Sequence, residues 1–220
     1  MAVRLLIPIA ALVAAWGYLS VWVPHPVAGL KVLGVDLLTF CKLFTGAQIA
    51  WPWQNPVFFV LPLATASLTL SQLGWFADAP GHWHRAIVWS VRLALWIASL
   101  YVALQILPLD WKPSNLLWTS NLLQTAGFAF CTGCALLSPL TAPTLTARAR
   151  WWLPPAALAA ATAHAAFLVA YLPEFTRLYR QPLLPGPGFY GMALGLAVLM
   201  VAAMVGRPRT ITDLEWRNRR

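Results

Sequence analysis

The chain has 220 residues, 60% of them hydrophobic and 10% charged, with a formal charge of +9. A soluble domain carries about 25% charged residues, and a chain this short cannot hide so much apolar surface from water. A water-soluble enzyme and a nucleic-acid-binding module are therefore set aside. An integral membrane protein is expected, with lipid around the apolar side chains and the 13 Trp suited to the bilayer boundary.

A helix needs about 20 apolar residues to cross the hydrocarbon core, and there it must satisfy its own backbone. Six segments qualify, near residues 5–23, 57–77, 86–107, 116–140, 151–172 and 188–205. They predict an all-α polytopic bundle of about six spans. Residues 1–206 form one transmembrane domain, and residues 207–220 a basic cytoplasmic tail.

The first segment follows Arg4 and is longer than a signal-peptide core, with no clear small-x-small cleavage site after it, so it reads as a retained helix. Ala10, Ala14 and Gly17 give it a small-residue face for close helix approach. Pro24 and Pro26 end it. In the link to the second span, Leu30, Leu33, Leu37, Cys41 and Phe44 recur at near-helical spacing, which predicts a short helix on the membrane surface. Residues 51–56 then read as an interfacial turn.

The second span carries Thr65, Thr69 and Gln72 on one face, able to meet a polar neighbour. Asp78, His82 and His84 follow in a Pro-Gly turn. A metal site there is the sharper reading and a tight aromatic turn the plainer one. In the third span Arg85, Trp89, Arg92 and Trp96 share a face, and Arg92 lies about 9 Å along the helix. It can snorkel to the headgroups and stack on Trp89 or Trp96. Arg85, Arg92 and Trp89 are thus candidate lipid-headgroup residues.

The fourth span holds the clearest pattern. Ser120, Gln124, Gly127, Cys131, Cys134 and Ser138 fall on one stripe at helical spacing, with Asn121 beside its outer end. The stripe reads either as the lining of a pathway or as close helix packing, and close packing is the commoner use of small residues. Cys131 and Cys134 form a CxxC, but thiols deep in an apolar helix lack the lowered pKa that redox work needs. A third Cys leaves the count odd, so the thiols cannot all pair within one chain.

The fifth span has Pro154 and Pro155 in its first turn and His164 near its middle. A histidine at that depth is either functional, relaying a proton or binding a cofactor or substrate, or a neutral ring bonded to Gln124, Gln72 or Thr69. Residues 173–180 predict a short helix with a Glu174–Arg177 pair. The sixth span carries Gly188, Gly191 and Gly195, a second small face. In the tail, Thr212 and Glu215 make a capping-box pattern before Trp216 and an Arg cluster, which suits a headgroup-bound helix or a frayed end.

Orientation follows from Lys and Arg. Arg4, Arg85, Arg148, Arg150, Arg207, Arg209, Arg217, Arg219 and Arg220 fall on one side; Lys31, Lys42, Lys112, Arg177 and Arg180 fall on the other. The bias predicts both termini in the cytoplasm of a bacterial cell, with the chain in the cytoplasmic membrane. No phosphate-binding loop, GxSxG or HExxH is present, and the six acidic residues lie outside the spans or near their ends. No catalytic residue, metal set or particular cofactor is assigned.

The expected role is a non-catalytic subunit of a larger membrane assembly, with lipids and other membrane subunits as partners. A small-solute transporter, or the substrate-binding component of an uptake system, is the alternative. In size and helix count the chain resembles the substrate-binding components of vitamin-uptake systems, in which Ala10-xxx-Ala14 would dock on a partner. A cofactor-binding or redox protein is the second alternative. The candidate binding residues are His164, Gln124, Asn121, Cys131, Cys134 and Gln72, pointing to a site between the fourth and fifth spans towards the outer side.

Overall fold

The computed structural model describes residues 2–25, 31–43, 53, 55–73, 85–108, 112–118 and 121–205. Asp78, His82, His84, Ser120, Leu30, Phe44, Trp51, Pro52 and Gln54 of the 51–56 turn, and the tail at 207–220 lie outside the described residues, as do the side chains of Arg4, Cys41 and Arg85.

The first helix, α1 (Ala2–Leu19), is shorter than the predicted span. After Ser20 the Val-rich stretch becomes β1 (Val21–Val23), which pairs antiparallel with β2 (Val32–Leu33) in the register Val21–Leu33 and Val23–Val32. Branched side chains favour this extended backbone, and Pro24 stops the strand. Leu33 therefore sits in a strand, and the predicted surface helix shrinks to α2 (Leu37–Leu43).

The remaining elements are α3 (Val57–Leu73), α4 (Arg85–Leu104), α5 (Leu122–Leu136), α6 (Ser138–Ala147), α7 (Ala149–Ala166), α8 (Leu172–Tyr179) and α9 (Pro187–Val205). Among the described residues the protein is all-α apart from the small ribbon. Three helical stretches are long and apolar enough to cross a membrane by themselves, namely Ala86–Leu104, Ala149–Tyr179 and Pro187–Val205. The bent pair α5–α6 makes a fourth if taken as one broken span, while Leu6–Leu19 and Val57–Leu73 are shorter apolar helices.

Two predicted spans change shape, and proline accounts for both. The fourth is not one helix: α5 and α6 meet at 90° around Leu137. Pro139 has no N–H for the carbonyl of Ala135, so the helical ladder cannot continue. Trp96 Nε1 donates to that freed carbonyl at 2.9 Å and Ser138 Oγ at 2.7 Å. The fifth predicted span runs on through a π-type turn, Phe167–Tyr171, straight into α8. Pro173 cannot donate to Val169, and the Leu172 N–H bonds Phe167 one residue further back. The predicted short helix and its Glu174–Arg177 pair, at 3.0 Å, are present in α8.

Side-chain bonds fix how the helices lie. Tyr18 at the end of α1 donates to the Phe59 carbonyl at the start of α3 at 2.6 Å. Ser67 and Ser99 join α3 to α4, and Thr65 donates to Ala156 of α7 at 3.2 Å. Sequence neighbours therefore run antiparallel. The ends of α1, α4 and α7 and the starts of α3, α5 and α9 share one end of the bundle. The ribbon, α2 and α8 cover that end, where Phe40 packs edge-on against Phe175 at 5.3 Å. The break before α6 marks the other end.

The tightest packing joins α1 to α9. A Cβ on Gly195 would stand 2.7 Å from Ala14 Cα and 2.8 Å from the Ala10 carbonyl, and one on Gly188 would stand 2.6 Å from the Gly17 carbonyl. The two small-residue faces read from the sequence are thus used against each other, so Ala10 and Ala14 do not present a free docking face.

Candidate functional site

The stripe on α5 faces protein. Gly127 packs against Val60 of α3 and Ile106 beyond α4, with a Cβ there 3.0 Å from Val60 Cγ1. Cys131 is fully buried, while Cys134 is half-buried. The carbonyl of Cys134, next to the α5–α6 break, accepts from Gln72 Nε2 at 2.8 Å. The other end of the same amide, Oε1, accepts from Thr141 of α6 at 2.8 Å. Gln72 therefore meets the fourth span as its face predicted, and it works there as a brace. One side chain holds the end of α5 and the start of α6 to α3.

His164 does not reach Gln124, Gln72 or Thr69. Its Nε2 lies 3.0 Å from the Phe189 carbonyl in the first turn of α9. Its ring packs against Phe189 at 4.5 Å and Trp22 at 5.2 Å. Trp22 is fully buried, donates to Gly17 at 3.1 Å and also touches Tyr18, Phe167 and Phe189. Beside this cluster, α7 and α9 leave an apolar groove of about 320 Å³, with His164 and Phe189 at its edge.

Arg92 stacks on Trp89, its guanidinium carbon 5.5 Å from the ring, while Trp96 is engaged at the α5–α6 break. The Arg92 Nε is buried and has no hydrogen-bond partner among the described residues. Arg150 stacks on Trp151 at 4.8 Å near the start of α7. Cations over aromatic rings at this end of the bundle fit a membrane boundary.

The two polar residues at the start of α5 do different jobs. Asn121 donates through Nδ2 to the Asn115 carbonyl at 3.1 Å and ties down the 112–118 loop. Gln124, only 1% exposed, lines a cavity of about 230 Å³ with mixed polar and apolar walls. Asp36 and Thr39 line it from the β2–α2 turn and α2, and Gln105 and Pro108 from the segment after α4. The Asp36 carboxylate accepts the Leu33 N–H at 2.9 Å, and burial pushes its carboxyl up from the ordinary range. Among the predicted residues only Gln124 reaches this cavity. Asp36, Thr39 and Gln105 were missed, although an Asp set within the apolar run Val35–Leu38 was a readable signal.

The cavity opens between the end of α4 and the start of α5 at the ribbon end, so it lies between the third and fourth predicted spans, whereas the site expected from the sequence lies between the fourth and fifth. Among the described residues no three His, Cys, Asp or Glu come together as metal ligands. Comparison with protein-family models, curated proteins and solved structures returns no match.

Proposed function

We propose that the chain is a six-helix membrane component without catalytic chemistry of its own, working inside a larger membrane assembly with both termini in the cytoplasm. Six spans are supported by the antiparallel order: α1, α3 and α5 lie alongside the three helices that are long and apolar enough to cross. The 15 Lys and Arg support the orientation, by the side on which most of them fall.

One observation carries the non-catalytic role. Polar side chains of α3, α4 and α6 hold the bundle together, as the Gln72 brace and the Ser67–Ser99 pair illustrate. The outward face of α4, with Ile87, Leu93, Ile97 and Tyr101 exposed, supplies apolar surface for lipid or a partner helix. Gentle extraction from native membranes followed by native mass spectrometry tests the reading. A stoichiometric membrane partner is expected, and a partner-free monomer with its own enzymatic activity would overturn it.

The cavity beside Asp36 favours a second reading, a solute-binding membrane component. Uptake or exchange of a solute by the chain alone in liposomes is its test. A cofactor role for His164 has less support, since its Nε2 is engaged with the Phe189 carbonyl. An absorbing group lost on His164→Ala would be needed to revive it.

A further inference from the structure

We propose that the cavity enclosed by the β2–α2 turn, the segment after α4 and the start of α5 binds a small organic cation bearing N–H donors, a protonated primary amine. It lies within this one chain, so it does not depend on the assembly role and rests only on the membrane-inserted reading.

The argument begins with an under-satisfied carboxylate. An ionised carboxylate has about four lone-pair sites. Asp36 uses one on the Leu33 N–H at 2.9 Å, and among the described residues no Lys, Arg or His pairs with it. Taking a carboxylate partly out of water without a partner is unfavourable, which is why its carboxyl is pushed up. A cation in the cavity offsets that penalty.

The other polar groups favour a donor-rich cation. Thr39 and Gln105 line the cavity, and among the described residues neither side chain has a hydrogen-bond partner. Gln124 adds a buried amide from α5. An ammonium carries three N–H donors and no acceptor. The Asp36 carboxylate, the Gln105 carbonyl and the Thr39 hydroxyl are three acceptors that suit it.

Size and walls agree. The cavity of about 230 Å³ is larger than one ion needs, against roughly 30 Å³ for a single water molecule. Leu38, Leu104 and Pro108 offer apolar contact for a short carbon stem. An anion would meet the Asp36 charge, and a quaternary ammonium would leave the acceptors without donors.

The same ammonium chemistry comes from a free amine or from an aminophospholipid headgroup in the adjacent leaflet. The test uses the purified full chain in nanodiscs and reads the thermal midpoint and bound ligand. In phosphatidylcholine discs, ethanolamine is titrated, with choline, which has the same hydroxyl but no N–H donor, as the control. In parallel, discs containing phosphatidylethanolamine are compared with phosphatidylcholine alone, and retained lipid is weighed by native mass spectrometry. A response to ethanolamine but not choline assigns a free amine. A response confined to phosphatidylethanolamine assigns the headgroup.

Asp36→Asn keeps an oxygen for the Leu33 N–H and removes the charge. Gln105→Leu, outside the turn, serves as a second variant should the first fold poorly. Each is expected to weaken binding about tenfold or more, the loss of one charge-assisted or buried polar contact. No response to either amine source overturns the proposal. So does an equal response to choline, or binding unchanged in both variants.

Discussion

At the scale of single residues, Gln72 shows how a polar side chain inside a bundle acts as structure. Its carbonyl oxygen and its amide nitrogen each have a partner, one on either side of the α5–α6 break. Gln72→Leu keeps the volume and removes both bonds, leaving the Cys134 carbonyl short of a partner and the Thr141 hydroxyl with only the Leu137 carbonyl at 3.1 Å. Interhelical polar contacts in bilayers are worth ~0.6–1.7 kcal/mol each, so a loss of about 1–3 kcal/mol is expected by denaturant titration in detergent. A variant as stable as the parent would remove the brace from the account. Asp36 behaves differently because its polarity is left over. Its carboxyl is pushed up by burial, so the folded chain holds that proton to higher pH than the unfolded chain does. The resulting stability is fully present below the ordinary carboxylate range and is lost as pH rises through the raised value. Asp36 is the only titratable side chain among the described cavity walls. The amine-free chain should therefore gain on Asp36→Asn between about pH 7 and about pH 4 as the pH falls. A stability difference that stays flat, or grows the other way, would contradict that environment for Asp36.

At the scale of elements, the contrast between Gly195 and Gly133 separates packing from mere composition. Both are helical glycines in apolar runs. A Cβ on Gly195 runs into the backbone of α1, whereas a Cβ on Gly133 meets nothing within 4 Å. Gly195→Leu should therefore force α1 and α9 apart at a cost above about 3 kcal/mol, or abolish folded yield. Gly133→Ala should be neutral or stabilise by up to about 1 kcal/mol through helix propensity. Equal behaviour of the two would sink the α1–α9 contact. The small faces of both helices were legible in the sequence, because spacing alone puts Ala10, Ala14 and Gly17 on one side. Their being each other's partners was not legible, since spacing carries no information on which helix lies opposite. The bend at Leu137 was hidden for another reason. Pro139 signals a break, but its angle depends on Trp96 and Gln72, which come from distant helices and take the carbonyls left open. The cavity was only partly legible. Gln124 stood out by its place on the stripe, while Asp36 and Gln105 become neighbours only when α2 folds back over the end of α4.

At the scale of the whole molecule, the number of crossings follows from how the shorter helices sit beside the longer ones. Length and composition admit three helices, or four with the bent pair, yet α1, α3 and α5 run beside them between the same two ends. A helix shorter than about 20 residues still crosses where the bilayer thins or where its neighbours carry the boundary, at a modest cost per ångström of mismatch. Leu140 on α6 and Leu184 ahead of α9 lie at opposite ends of the bundle and are 78% and 77% exposed. Single cysteines at these positions, in a background with Cys41→Ser, report the topology through a membrane-impermeant maleimide on intact cells. Cys131 and Cys134 sit within α5 and serve as the unlabelled background. With six crossings and cytoplasmic termini, Leu184→Cys labels from outside and Leu140→Cys labels only after the membrane is opened. Labelling of both from outside would mean that α7 does not cross between them. The opposite pattern, Leu140→Cys alone from outside, would invert the chain and turn the Asp36 cavity towards the cytoplasm, where the amine it meets would come from the inner leaflet or the cell interior.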